Sequence, residues 1–438
     1  MQRLLMDRLI EWKDEPSRKP VLIQGIGKCG KTYLLREFGE KFFKDVLYFN
    51  LKENRHIVDL FDQTLGPAII IKNLSIFSEK DIVPGETLII LDDIGAGDKV
   101  LESLRYFYEE APDYHIVAAG SYLDVALRQG SSIPVGQVEL LTLYPMNFYE
   151  FLLAQSPMLA MHLKESGFRG EPYNTFKKQL TEKFYDYQIV GGMPEVVQSW
   201  IETKSIETVD KLQTQIIKGF ESDFMELASI TMLPKIIAIW NNIPSQLIKG
   251  NRKFMFSKVK KTWRAKDLDD AMHWMVRAGI IYKIEHIEKP EVPLSSTANP
   301  AHFKLYMCDV GLLRRIGQFH TSMIISGIND YPLVKSSLAE NIVCTELKRI
   351  YEQELYYWSA ENPGRAEVDF IFRDGEFNIP VEVKAGKAGR ARSLGQYITR
   401  FAPKKYVLTG TDTDKEDILP LFAVWNIKEW LNIYTAPF

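Results

Sequence analysis

Val21-Leu22-Ile23-Gln24-Gly25-Ile26-Gly27-Lys28-Cys29-Gly30-Lys31-Thr32 joins an apolar run of strand length to a glycine-rich turn. Leu34, Leu35, Phe38 and Phe42 follow at helical spacing, so the turn lies between a strand and a helix. G-x-x-x-x-G-K-T in that context predicts a phosphate-binding loop. The chemistry needs these residue types. Glycines let successive backbone N–H groups face phosphate oxygens, and the helix N-terminus adds a positive dipole. The expected binding set is Gly25, Ile26, Gly27, Lys28, Cys29, Gly30, Lys31, Thr32 and the following Tyr33. Lys31 is placed to reach β- and γ-phosphates, and the Thr32 hydroxyl to ligate Mg²⁺.

Gly25, Gly27 and Gly30 also spell G-x-G-x-x-G, with Glu53 at a distance suited to a ribose contact. Lys31 and Thr32 have no part in that dinucleotide reading, and a second element decides against it. Thr87-Leu88-Ile89-Ile90-Leu91-Asp92-Asp93 reads as a buried strand ending in two carboxylates. Asp92 is expected to hold Mg²⁺ through water, and Asp93 to orient an attacking water. The stretch therefore predicts a nucleoside triphosphate site that takes ATP and Mg²⁺.

A chain of 438 residues is long for one core, so two to three domains are expected. Hydrophobic content of 46% with 25% charged residues is that of an ordinary soluble protein. A net charge of −3 argues against a uniformly basic nucleic-acid binder but permits a local patch. Cys29, Cys308 and Cys344 are isolated and form neither a disulfide framework nor a zinc knuckle, and the histidines lack ligand spacing. No run reaches the roughly 18 apolar residues of a membrane helix, so no membrane partner is expected. The N-terminal residues lead into an amphipathic helix rather than a secretory signal, which points to the cytoplasm.

Along the chain, Leu4–Trp12 reads as a helix, and Val46–Asn50 as a strand. Leu101–Tyr108 is a further helix, His115–Ser121 a strand and Val138–Leu143 a fifth strand. Alternating strands and helices imply a parallel sheet covered on both faces, with its ligand at the strands' carboxyl ends. Gly25, Asp92 and Ser121 all fall there. Ser121 is thus a candidate γ-phosphate sensor, completing a catalytic set of Asp93, Ser121 and Lys31. Residues 1–152 form this ATPase core, followed by a helical subdomain at 153–232. Gly191-Gly192-Met193-Pro194-Glu195 breaks the helical stretch as a turn.

Residues 233–325 read as a winged-helix-like module: helical periodicity, a basic run, a second helix opened by Asp267, then Ile280–Ile284 as a strand. Lys249, Arg252, Lys253, Lys258, Lys260, Lys261, Arg264 and Lys266 enclose no acidic residue, the footprint of duplex DNA contact or of a solvated basic face. Residues 326–438 read as a restriction-endonuclease-like α/β domain. Leu338–Tyr351 is a helix carrying Glu340. Asp369 and Glu382-x-Lys384 sit on neighbouring strands, with Glu382 and Lys384 two apart and so on one face. Two carboxylates can hold a second divalent ion that activates water, with the lysine stabilising charge developing on a phosphodiester. The same residues also suit the polar face of a half-exposed sheet.

In this order the pieces resemble a bacterial and archaeal family of AAA-type P-loop ATPases with a C-terminal winged-helix and nuclease-like module. The resemblance rests on the Gly25–Thr32 loop, Leu91-Asp92-Asp93, Ala118-Ala119-Gly120-Ser121 and the Leu143-Tyr144-Pro145 to Phe151 block. It extends to Gly191–Glu195, Lys304-Leu305-Tyr306, Asp309-Val310-Gly311-Leu312 and Glu382-Val383-Lys384-Ala385. It implies binding of ATP and Mg²⁺, ATP hydrolysis and an association with DNA. Three positions depart from the family pattern: Asp93 where Glu is usual, Gly95 where Gln is common, and Gln137 after Gly136 where a basic residue is usual. Asp is one methylene shorter, and an error of about 1 Å can cost on the order of 10²-fold in rate. Arg128 is a candidate arginine finger by position alone. Three functions stay open: an ATPase that drives or regulates a DNA-associated module, a low-turnover nucleotide switch that engages a protein partner, and an ATP-regulated metal-dependent nuclease. The oligomeric state is not legible.

Overall fold

The computed structural model describes residues 1–126, 133–134, 136–165, 170–249, 252–327, 330–360, 366–386, 391–411 and 417–433. It divides into two units, Met1–Tyr144 with Arg277–Gly279, and Pro145–Val276 with Ile280–Phe438.

In the first unit Val21–Gly25 (β1), Asp45–Asn50 (β2), Thr87–Asp92 (β3), His115–Ser121 (β4) and Glu139–Thr142 (β5) form a parallel sheet. Their order is β2-β3-β4-β1-β5. Every residue of β3 is buried, as its unbroken apolar run requires of a strand covered on both faces. Leu22, Leu47, Phe49, Ile89, Leu91, Ile116 and Ala118 pack with Ile57, Phe61, Leu101 and Leu104 in the core on one face of the sheet. Gly25 pairs with Ser121, and Asn50 with Asp92, so the carboxyl ends of four adjacent strands stand in line.

The second unit opens with helices at Phe148–Gln155, Pro157–Glu165, Gly170–Val190, Pro194–Thr203 and Ile206–Leu227. The Gly191-Gly192 break between two of them is a tightly fitted turn. A Cβ on Gly192 would stand 1.9 Å from the Met146 carbonyl oxygen. The Gly192 N–H donates to Asp309 at 2.6 Å, and Asp309 also accepts from Leu312 N–H at 2.9 Å to cap the helix Val310–Ile316. The blocks around Met146, Gly192 and Asp309, far apart in sequence, therefore meet in one buried junction. Asn147 forms a capping box with Glu150 at the start of Phe148–Gln155.

A seven-stranded mixed sheet completes this unit. Its strands are Ile281–Ile287 (β6), Ala298–Met307 (β7), Tyr356–Ser359 (β8), Glu367–Asp374 (β9), Phe377–Lys384 (β10), Val407–Gly410 (β11) and Ile418–Pro420 (β12). The order is β12-β11-β10-β9-β8-β6-β7. The sequence pattern sets β6 within a winged-helix module at 233–325, apart from a domain at 326–438, and signals no strand at β7. The structure differs. β6 and β7 form an antiparallel pair at one edge of the C-terminal sheet, joined to it by parallel pairing of β6 with β8. The reason is burial: Ile281, Tyr282, Ile284 and Ile287 are all buried, too apolar for a wing standing in water. The helix Pro332–Tyr351, longer than the expected 338–351, is held to β7 by Asn341, whose side chain both accepts from and donates to the Met307 backbone.

Candidate nucleotide site and C-terminal carboxylate site

Gly30, at φ 97°, turns the chain into the helix Lys31–Phe42, whose first turn carries no acidic residue. The helix N-terminus thus keeps its positive field for an anion. Gly25 is required at the loop's start, because a Cβ there would stand 2.3 Å from the Leu143 carbonyl oxygen. The Lys31 ammonium, buried, donates to the carbonyls of Ile26 at 2.8 Å and Gly25 at 3.2 Å, and to Ser121 Oγ at 2.8 Å. Lys31 and Ser121, 90 residues apart, are thereby brought together at the loop. Ile26, Gly27, Lys28 and Cys29 form the loop itself, with Lys28 at φ 61°, and Tyr33 is exposed.

The Thr32 hydroxyl donates to Asp92 Oδ2 at 2.6 Å. Asp92 is buried, and the Asp93 N–H donates to its other oxygen at 3.0 Å. Asp93 takes the left-handed conformation at φ 55° and is half-buried. Burial raises its carboxyl pKa above the ordinary range. Asp92 adds to the rise, while Lys31, Lys52 and a hydrogen bond with Asn50 oppose it. The expected triphosphate set, Lys31, Thr32, Asp92, Asp93 and Ser121, therefore converges at the carboxyl ends of β1, β3 and β4. Arg128 lies outside the described residues.

Three residues of the site carry no signal in the local sequence pattern. Tyr48 on β2 donates its hydroxyl to Asp92 Oδ2 at 2.9 Å, with the Arg36 guanidinium 3.9 Å over its ring. Burial, then the Asp92 charge, pushes Tyr48 up to about 12, so it stays a donor at neutral pH. Asn50 caps the turn after β2 through the N–H groups of Lys52 and Glu53 and bonds Asp93. Strand order holds the signal for both: an edge strand beside β3 must end beside Asp92. Arg3, buried, donates to the Cys29 carbonyl at 2.8 Å and to that of Tyr144 at 2.6 Å. In a trans peptide the N–H lies opposite the carbonyl, so this grip turns the Gly30 N–H away from Arg3. Nothing in the local sequence announces that contact.

In the second unit Asp369 on β9 and Glu382 and Lys384 on β10 also converge. Asp369 Oδ2 accepts from Val383 N–H at 2.9 Å, Lys384 pairs with Glu382, and Glu382 accepts from Leu394 N–H at 2.7 Å. Glu340 is reached through Arg252, which pairs with Glu340 and lies 3.7 Å from Asp369. Burial raises the Glu382 pKa, with Lys384 pulling it back. Among the described residues no group of three or more His, Cys, Asp or Glu side chains is arranged to hold a metal ion.

Residues 17–152 match the model of the AAA domain. Residues 181–322 and 335–429 match two domains of unknown function, DUF8612 and DUF4143. An uncharacterized protein of Methanocaldococcus jannaschii is 23% identical, over 96% of this chain and 90% of that protein. Among solved structures, the Walker-type ATPase of Pyrococcus abyssi is similar at 13% identity, with a TM-score of 0.45, over 72% of this chain and 95% of that one. The Orc1 protein of Aeropyrum pernix in complex with DNA is similar at 11% identity and a TM-score of 0.29, over 72% and 91%. The first unit thus carries a P-loop in a parallel sheet and matches the AAA domain over residues 17–152. Among the described residues, no helix is long and apolar enough to cross a membrane.

Proposed function

We propose that the first unit binds ATP with Mg²⁺ and hydrolyses it, and that turnover drives or regulates a second unit that contacts duplex DNA. The observation that carries the hydrolytic reading is the Thr32–Asp92 hydrogen bond beside the Lys31–Ser121 contact. Together they gather a hydroxyl, a buried carboxylate, an ammonium and a strand-end hydroxyl at the mouth of the loop. Thr32 and Asp92 are hard oxygen donors that would hold Mg²⁺, and the ion would supply positive charge to offset that of the β- and γ-phosphates. Lys31 exchanges its carbonyl acceptors for phosphate oxygens, a charge-assisted contact. Asp93 orients water, and Ser121 reads the γ-phosphate.

The DNA part rests on the segment that follows the helix Leu233–Leu247. Lys249, Lys258, Lys260, Lys261, Arg264 and Lys266 are exposed there with no acid among them. Cations so placed meet phosphates without reading bases. A second reading, a nucleotide switch of low turnover, is favoured by the short, half-buried Asp93 bonded to Asn50. Steady-state phosphate release by wild type and Lys31→Ala, with and without duplex DNA, tests both. Release that Lys31→Ala abolishes and DNA stimulates supports the coupled ATPase. Nucleotide binding without release above background leaves the switch.

A further inference from the structure

Asp369, Glu382 and Lys384 have the types and spacing of a metal-dependent phosphodiesterase, so what surrounds them decides whether a divalent ion fits. They line a cavity of about 300 Å³ together with Arg252, Ser336 and Glu367. Two further cations reach Asp369. Arg252 Nη1 pairs with Glu340 Oε1 and stands 3.7 Å from Asp369 Oδ1, while its Nη2 donates to Ser336 Oγ at 2.5 Å. Lys304 Nζ lies 2.6 Å from Glu367 and 3.6 Å from the same Asp369 oxygen.

Every oxygen of the two expected ligands, and of Glu340 beside them, already faces a group of the chain. Glu340 meets Arg252 and the Tyr306 hydroxyl, the latter at 2.9 Å. Asp369 meets the Val383 N–H on one side and the two cations on the other. Glu382 meets Lys384 and the Leu394 N–H. A divalent ion needs about six oxygens at roughly 2.0–2.6 Å. An ion on Asp369 Oδ1 at that distance would press against both Arg252 and Lys304 in a buried setting, where like charges are weakly screened. Neither cation leaves cheaply. Lys304 has no exposed side-chain surface and lies 4.9 Å over the Tyr357 ring, so withdrawing its partners strands a buried charge.

We infer that Arg252 and Lys304 are the resident cations of this site, standing where a metal-dependent nuclease holds its divalent ion. The carboxylates work as an ion-paired latch, not as a phosphodiester-cleaving centre. The latch has a second consequence. Arg252 belongs to the basic segment, and its bonds to Glu340 and Ser336 tie that segment to the helix Pro332–Tyr351. Its neighbours from Lys258 to Lys266 face solvent while Arg252 faces inward.

The test uses the full chain without nucleotide, titrated with Mn²⁺ by calorimetry and by the paramagnetic resonance signal of free ion. Wild type and Asp369→Asn take up equal Mn²⁺, and wild type leaves supercoiled plasmid intact in Mn²⁺. Arg252→Ala, which removes the more accessible cation, gains a site that binds Mn²⁺ at least about tenfold more tightly than wild type and is lost again in Arg252→Ala/Asp369→Asn. A Mn²⁺ site in wild type that Asp369→Asn lacks overturns the inference, as does plasmid cleavage that Glu382→Gln abolishes. So does a folded Arg252→Ala, judged by circular dichroism, that gains no ion. Should Asp369→Asn fail to fold, Glu382→Gln takes its place in each comparison. The nucleotide reading is untouched by any of these outcomes, because no residue of the first unit is altered.

Discussion

Thr32 and Asp92 are joined by a 2.6 Å hydrogen bond, and Tyr48 donates to the same Asp92 oxygen at 2.9 Å. A buried carboxylate carrying two hydroxyl donors on one oxygen is held in a fixed orientation. Tyr48→Phe removes one of them, a loss of about 1 kcal/mol. The Mg²⁺ concentration giving half-maximal turnover should rise about fivefold, a factor of that size following from such an energy, while the maximal rate changes less. The pH dependence of stability gives a second readout. Tyr48 is raised to about 12, so between its ordinary value of 10.0 and 12 the folded state holds the proton more tightly than the unfolded state. The stabilisation is complete below pH 10 and is lost as pH climbs toward 12. Wild type should lose melting temperature in that window more steeply than Tyr48→Phe, and equal alkaline slopes would show that the hydroxyl is not held as described.

Lys31→Ala removes the one ammonium bonded to the Gly25 and Ile26 carbonyls and to Ser121. Hydrogen bonds to charged groups contribute about 1.5–3 kcal/mol each, so nucleotide affinity should fall by about 100-fold. Titration of a fluorescent ATP analogue measures it. Affinity unchanged in a folded variant would refute the loop's assignment to phosphate.

Asp309 offers a readout in the second unit. Burial pushes its carboxyl from 3.8 up to about 6, against the pull of the Gly192, Leu312 and Gly311 N–H groups. The folded state therefore binds the proton more strongly than the unfolded state, and stability falls as pH rises from about 4 to about 6. The difference of about 2 pKa units corresponds to ~3 kcal/mol. Asp309→Asn, which cannot ionise, should lack this fall although it starts less stable, having one acceptor fewer. Melting temperatures at about pH 4 and about pH 7 test the point. A parent and variant that fall in parallel would assign the slope to other groups.

The positions of the loop, of Asp92 at the end of β3, of Asp93 directly after it and of the strand-end serine are legible in the sequence because each position is set by local type and spacing. Gly30 must turn the chain, Lys31 must begin the helix, and Asp92 must end a buried strand. Tyr48, Asn50 and Arg3 escape such a reading because their contacts come from strand order and from an N-terminal side chain reaching the Cys29 and Tyr144 carbonyls, which no local pattern encodes. The Gly191-Gly192 break reads alone as an ordinary turn. Only the tertiary fold shows that Asp309 occupies the space beside it. Arg252 misleads in the opposite sense, since a charge run reads as one exposed face although one of its members turns inward to Glu340 and Asp369.

The exposed lysines of that run supply the fourth test. Neutralising Lys258, Lys260 and Lys261 to Gln should weaken duplex binding uniformly across sequences. It should also flatten the dependence of log affinity on log salt by up to about 2.7, or about 0.9 for each phosphate that is no longer neutralised. Fluorescence anisotropy at several salt concentrations checks this. Equal slopes in mutant and parent would leave the segment a solvated face, with Lys260 occupied by its contact with the Trp263 ring at 4.6 Å.

Asp93 carries the last prediction. Its carboxyl is raised by burial and by Asp92, and the hydrogen bond with Asn50 draws it back down. A group that orients water for attack must be ionised to accept the proton. Turnover should therefore fall on the acid side as Asp93 becomes protonated, with a midpoint above the usual carboxylate range. Asn50→Ala removes a bond that favours the charged form, so the acid limb should move to higher pH while the plateau changes less. Asp93→Asn should lower the plateau by about 10²-fold or more and leave nucleotide binding intact. Asp93→Glu adds about 1 Å of reach and should raise the plateau, since an error of that size can cost on the order of 10²-fold. The left-handed backbone at φ 55° sets a limit, because a longer side chain adopts it less readily than Asp. The pH–rate profiles of the four proteins separate the roles: an acid limb that stays in place when Asn50 is removed, with Asp93→Asn retaining the parental rate, would move the water-orienting group elsewhere in the site.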